Sequence, residues 1–141
     1  MATTVLSNPV VSVGASSPGT AITTQVISAV VNESQDQLES TAFGQTNRTY
    51  VGGLTNATIT LTLLMDYSAS STYALLNSLK GAAATYVAVK PTSAAISATN
   101  PEFQLTNGYL ASFDVVNAQL GELQQVEAVF NGGTLVKDTT P

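Results

Sequence analysis

The sequence predicts a mainly β chain: an antiparallel β-sandwich, barrel-like in its closure, with one short flanking α-helix and flexible terminal arms. Three observations carry that reading. From Ala57 onward the residues alternate, Ala57, Ile59, Leu61, Leu63 and Met65 on one side and Thr58, Thr60 and Thr62 on the other, which is the period of a half-buried strand. A second alternation near the C-terminus sets Val126, Ala128 and Phe130 against Gln125 and Glu127. Only one stretch, Leu75, Leu76 and Leu79 with Tyr73 at its edge and Lys80-Gly81 at its end, has helical spacing and a helix stop.

Composition sets the outer bounds. At 141 residues the chain reads as a single domain, 1–141, large enough to bury roughly two-thirds of its unfolded surface. Hydrophobic residues are 44% and charged residues only 9%, against about 25% charged in an ordinary soluble domain. Thr, Ser, Asn and Gln stand in for the missing charges. Such a surface hydrogen-bonds without strong repulsion and packs against copies of itself at low desolvation cost.

Taken in order, residues 1–20 carry Pro9, Pro18 and a Gly-Ala-Ser-Ser run and read as an N-terminal arm with at most a short strand around Val10 to Val13. Residues 21–31, AITTQVISAVV, read as a strand with Ile22, Val26 and Val30 on one face and Ile27 and Val31 opposite, both faces buried. Asn32 to Asp36 reads as a polar turn and 37–41 as a short strand. Beyond the central strand, Ser70 or Ser71 is placed to cap the helix. ATYVAVK (84–90) is a strand stopped by Pro91, and 92–101 a low-complexity loop. Asn107-Gly108 is either a turn or a bulge in one longer strand. Tyr109, Ala111, Phe113 and Val115 then alternate with Leu110, Ser112 and Asp114, a turn follows at 118–121, and a last strand spans 122–130. The C-terminal tail, 131–141, is flexible by composition.

The loop at 41–53 has its own chemistry: Phe43 and Tyr50 supply apolar area, Arg48 its only charge, and Gly44, Gly52 and Gly53 backbone freedom. Two readings stay open. Either the aromatic rings fold back onto the domain's own core, or Phe43, Arg48 and Tyr50 reach a neighbouring subunit, since aromatics and arginine are enriched at interface cores.

The run TAFGQTNRTYVGGLTNATITLTLLMD, followed by STYALLNSLKG and later by GYLASFDVVNAQLGELQQVEAVFNGGT, resembles the major tail tube proteins of long-tailed bacteriophages. The likeness spans about residues 20 to 133 and lies in order and spacing: a Thr-x-Phe-Gly segment with a following arginine, Gly-Leu entering a strand that ends in aspartate, a short helix, and a late hairpin closed by Gly121. The resemblance implies a β-sandwich or barrel-like protomer with one helix, assembled with itself into hexameric rings that stack into a conduit for DNA. It also implies a place in the virion tail after synthesis in a bacterial cytoplasm, with tape measure and tail terminator proteins as partners and genomic DNA passing through unbound.

Chemistry is sparse. No His or Cys is present, so zinc sites and nucleophile–base pairs lose their usual residues. Glu33, Asp36 and Glu39 recur at spacing three in a turn-and-strand region, which does not bring them onto one face. The Gly-Gly pairs lack the lysine and helix start of a phosphate cradle. With four Lys and Arg in all, no basic patch exists to hold phosphates. The reading is of a structural protein, neither enzyme nor cofactor binder; MATTVLSNPV is no secretory leader, and no run of ~20 apolar residues spans a membrane. Gln125 and Glu127 are the candidates for a polar tube lining. The alternatives are another virion structural protein, such as a capsid decoration or minor tail protein, and a carbohydrate- or cell-binding β-sandwich module.

Overall fold

Antiparallel ladders organise the computed structural model, which describes residues 9–16, 19–69, 71–82 and 84–140. Of the arm expected at 1–20, residues 1–8, 17 and 18 lie outside these, as does the Ser70 cap. The described residues form β1 (Val10–Gly14), β2 (Thr20–Ala21), β3 (Val26–Glu39), β4 (Tyr50–Leu64), α1 (Thr72–Leu79), β5 (Thr85–Lys90), β6 (Glu102–Phe113), β7 (Gln125–Asn131) and β8 (Thr134–Asp138). The path of paired strands is β2-β1-β5-β6-β7-β4-β3, with β8 also on β6.

The path bends because β6 serves two sheets. Its first half, from Glu102 to Thr106, lies between β5 and β8, while Tyr109 onward pairs with β7. One sheet is therefore β2-β1-β5-β6-β8 and the other β6-β7-β4-β3. Two kinks face each other at the bend. Asn107 has φ 57° on β6, and opposite it Gly132 and Gly133 have φ 74° and 67°. The pairs Tyr109↔Asn131 and Thr106↔Thr134 lie on either side. Positive φ suits glycine and is tolerated by asparagine. A Cβ on Gly133 would lie 2.1 Å from the Thr106 carbonyl oxygen, so no larger residue fits. Asn107-Gly108 is thus the bulge of one long strand.

The tail expected to be flexible contains β8, paired from Glu102↔Asp138 to Thr106↔Thr134. Gly132-Gly133 is a corner rather than the start of a tail. Beyond it the free side of β6 offers backbone partners, and Leu135 packs against the core.

The core lies between the two sheets. Ala57, Ile59, Leu61 and Leu63 face it from β4 and Val126, Ala128 and Phe130 from β7, as their alternation requires. Val11 and Val13 join them from β1, within the span read as an arm, together with Val87 and Leu105. Leu76 and Leu79 of α1 are buried and Leu75 packs beside them. Burying side chains of this size stabilises by about 1.5–3 kcal/mol each. The helix ends as read: Lys80 is its C-cap and Gly81 follows with φ 80°. Ser71 occupies the N-cap position without a side-chain cap bond. Its hydroxyl donates instead to the carbonyls of Asp66 and Ser68, both at 2.7 Å. The hydroxyl and amide of Ser68 both donate to the Asp66 carboxylate and hold its pKa below the ordinary value.

Bulges overturn three of the expected phases. At Ile27 the register of β3 against β4 slips, so Val26, Ala29 and Val31 pack on the core while Ile27 and Val30 are 53% and 54% exposed. The two-faced burial expected of 21–31 is not formed. Asn32 to Asp36 is strand, not turn, paired from Asn32↔Thr58 to Gln35↔Thr55 with a second slip at Asp36. Its polar side chains cost nothing there, because water bathes both faces and the ladder satisfies the backbone. A third slip at Ala111 turns Leu110 and Phe113 to the core and leaves Tyr109 exposed. The last strand begins at Gln125, so 114–124 is a loop.

Candidate functional site

The features with functional potential are surfaces. β3 and β4 continue past the sandwich as a two-stranded hairpin: β7 pairs with β4 only from Thr58 to Leu64, while β3 follows β4 out to Glu39↔Tyr50. The seven residues 50–56, at ~3.3 Å each, carry the hairpin about 23 Å beyond the sandwich. Tyr50 to Gly53, read as loop, are the first residues of β4. The connection proper, 40–49, is ordered by its own hydroxyls. Ser40 N–H donates to the Thr49 carbonyl at 2.8 Å, and Thr49 N–H donates to Thr41 Oγ1 at 2.9 Å. Gln45 Oε1 accepts from the Ala42 amide at 2.6 Å, and Gly44 turns the chain at φ 88°.

This turn holds Phe43 out at the tip, fully exposed at 108%, with Tyr50, Val51 and Leu54 at 47%, 52% and 81% along the shaft. Neither aromatic ring folds back onto the core. Arg48 stands 4.0 Å from Glu39, with side-chain exposures of 76% and 50%, a pair worth little in water. All three residues singled out in this loop are thus presented outward on one projection.

The second surface is the outer face of the β6-β7-β4-β3 sheet. Register aligns Ser28, Thr62 and Glu127 in one row, Val30, Thr60 and Val129 in the next, and Asn32, Thr58 and Asn131 in a third. Thr58 donates to the Asn131 amide oxygen at 3.2 Å. Gln125 and Glu127 are both exposed. The three full strands and residues 109–113 contain no lysine or arginine. Arg48, Lys80, Lys90 and Lys137 all lie elsewhere.

The third feature is a pair of free edges on the same sheet. β3 ends the strand order on one side. On the other, β5 reaches only to Gly108, so residues 109–113, paired with β7 on one side, have no strand on their opposite side among the described residues. A cleft lined by Lys80, Leu110, Ala111, Ser112, Phe113 and Val115 runs along that edge. Solitary proteins guard such edges with lysine, proline or short length. Here Val26 to Asn32 carries neither charge nor proline.

A fourth surface went unseen in the sequence. The 114–124 loop exposes Val116, Leu120 and Leu123 at 67%, 102% and 75%. Reading Val116 as a strand end, 118–121 as a turn and 122–130 as strand left these residues without a role, and only the density of apolar residues around Gly121 could have signalled them. Among the described residues no group of three His, Cys, Asp or Glu could hold a metal. Glu33, Asp36 and Glu39 are exposed along the hairpin. The pocket under the Pro91–Asn100 loop holds no titratable group. Asn100 is spent on folding that loop, donating to the Ala94 carbonyl at 2.9 Å and accepting from the Thr92 amide at 3.2 Å.

No family model and no curated protein matches the chain. Solved structures do match in architecture. The SPP1 tail tube aligns over 94% of this chain and 76% of its own, with TM-score 0.70 and 8% identity. A chain from the structure of the sheath/tube terminator of an extracellular contractile injection system, PVC, aligns over 98% of both chains with TM-score 0.71 and 14% identity. A chain of the native gene transfer agent virion aligns over 90% of this chain and 94% of its own, with TM-score 0.67 and 10% identity. What survives at such identities is the path of the backbone, and that path is the tail tube fold.

Proposed function

We propose that this chain is the major structural subunit of a phage-like tail tube, joining edge to edge into rings that stack into a conduit for DNA. The observation that carries the reading is the pair of free edges on one four-stranded sheet. Neighbours in that sheet are antiparallel, so β6 and β4 run one way and β7 and β3 the other. With an even strand count the two edges run in opposite directions. A second copy related by simple rotation therefore lays its β6 edge antiparallel against β3 of the first. The contact is heterologous and closes into a ring when the rotation allows. A hexamer, the ring size implied by the resemblance, joins about 24 strands, which at ~4.8 Å spacing and ~40° tilt gives a backbone diameter of roughly 50 Å.

The outer face of the sheet then becomes the wall of the lumen, carrying Gln125 and Glu127 among threonines. A wall without lysine or arginine offers phosphates no counterion release and so does not retain DNA. Phe43, Arg48 and Tyr50 on the hairpin serve contacts between subunits. A tape measure protein inside the tube and a terminator at its end are the partners this assembly calls for. No catalytic role is assigned.

Negative-stain microscopy of the purified protein tests the reading together with the double variant Ile27→Lys, Val30→Lys. Both positions are exposed on the β3 edge, so circular dichroism stays that of the parent. The parent is expected to form rings or tubes and the variant to remain as single subunits. Rings from the variant at parental yield would exclude the edge-to-edge seam.

A further inference from the structure

The bend in β6 gathers both Asn-Gly dipeptides of the sequence, Asn107-Gly108 on β6 and Asn131-Gly132 at the end of β7 beside it. An asparagine side-chain amide followed by glycine can close on the next backbone nitrogen, because glycine has no Cβ to block the approach. The nitrogen adds to Cγ and gives up its proton to hydroxide, ammonia departs with a proton from water, and a five-membered succinimide remains. Water then opens the ring at one of its two carbonyls. Attack at Cγ restores the main chain as aspartate; attack at the former backbone carbonyl leaves the chain running through the side chain as isoaspartate.

The two dipeptides differ in what surrounds them. At Asn131 the side chain is already turned over the attacking atom: Gly132 N–H donates to Asn131 Oδ1 at 2.8 Å, which folds Cγ back toward the Gly132 nitrogen through the turn at Cβ that the ring requires. The Thr58 hydroxyl donates to the same oxygen at 3.2 Å. That bond polarises the amide and is placed to stabilise the oxyanion that forms as the nitrogen adds to Cγ. Gly132 has φ 74°, and a Cβ there would meet the Tyr109 ring at 3.0 Å, so the position is held to glycine. Asn107 lacks these partners. Its side chain is exposed and makes no hydrogen bond among the described residues, while Gly108 is buried, and a Cβ on it would lie 3.0 Å from the Asn131 carbonyl oxygen. Ring closure shifts the glycine nitrogen out of its peptide plane, and close packing around Gly108 resists that movement.

We propose that Asn131 is a site of self-catalysed deamidation in the folded subunit, assisted by the Thr58 hydroxyl, and that Asn107 is protected by the same fold. Aspartate at 131 keeps both donors, and the charge-assisted bonds from Gly132 and Thr58 are stronger than the neutral ones they replace. Either product gains one negative charge at a residue aligned with Asn32 and Thr58 on the outer face of the four-stranded sheet. The reaction needs only the folded subunit. Where its charge falls rests on the tube reading: that face is the lining, so the wall grows more acidic with age after assembly, a change away from holding phosphates.

Peptide mapping by mass spectrometry of the purified chain, held folded at mildly alkaline pH and sampled over time, tests this. Conversion adds about 1 Da and one negative charge to the peptide concerned. In the folded chain Asn131 is expected to convert at least about tenfold faster than Asn107, since only Asn131 is held in a reactive pose. In urea, where only the shared Asn-Gly chemistry is left, the two should convert at similar rates. Thr58→Val should slow conversion at 131 about tenfold by removing the donor to the oxyanion, with circular dichroism unchanged. Thr58→Ser should retain the parental rate, and Asn131→Gln should show no mass change at 131 over the same time. Conversion of Asn107 as fast as Asn131 in the folded chain, an Asn131 that stays an amide, or a parental rate in Thr58→Val would overturn the assignment. Failure of the parent to form rings or tubes would overturn the tube reading alone, because the deamidation is read on single subunits.

Discussion

Gly133 shows how much of this architecture hangs on a single hydrogen atom in place of a methyl group. Its Cβ would collide with the Thr106 carbonyl at 2.1 Å and the Gly108 nitrogen at 2.7 Å, and its φ of 67° strains any L residue as well. Gly44 has a similar φ of 88° but open space around it. Gly44→Ala should therefore cost about 1 kcal/mol from backbone strain alone, and Gly133→Ala more than about 2 kcal/mol. Urea unfolding of the two variants measures the difference. Equal midpoints would mean that the corner is not tight. In the sequence both glycines look alike, two loop residues in polar surroundings, because what separates them is a carbonyl on a strand 27 positions away.

At the scale of the element, legibility follows the bulges. β4 and β7 alternate without interruption through the region where they pair, and their buried and exposed residues are readable by counting in twos. β3 and β6 carry slips at Ile27, Asp36 and Ala111, and a one-residue slip sends every later side chain to the other face. Nothing in the types of those three residues announces it. The short helix was legible because three leucines, a lysine and a glycine each mark a different part of it. The hairpin was legible in its chemistry, Phe43, Arg48 and Tyr50, but not in its shape, since strand and loop share a polar composition once both faces meet water. Its exposure makes the next prediction concrete. Phe43→Ser with Tyr50→Ser should leave stability within about 0.5 kcal/mol of the parent and the circular dichroism unchanged, yet stop polymerisation. Loss of the native β spectrum would assign the rings to the protomer's own stability.

At the scale of the whole molecule, the charge pattern matters more than any one group. The chain carries −5, and all four cations lie off the strands of the proposed lining. Glu127→Lys, an exposed change on β7, should leave folding and tube formation intact within about 0.5 kcal/mol. Repeated around every ring, it should slow DNA passage, and the delay should shorten as salt compresses the ~10 Å screening length. Delivery at the parental rate in low salt would remove Glu127 from the lining. The projecting hairpin has a mechanical consequence as well. If the hairpin carries contacts between subunits, as proposed, tension on it passes from β4 into β7 through the seven residue pairs from Thr58↔Asn131 to Leu64↔Gln125. Those ladder bonds lie across the strands, so a pull along β4 loads them together in shear instead of peeling them one after another. In a tube of such subunits, the contacts between subunits are expected to give way before the β4–β7 ladder does.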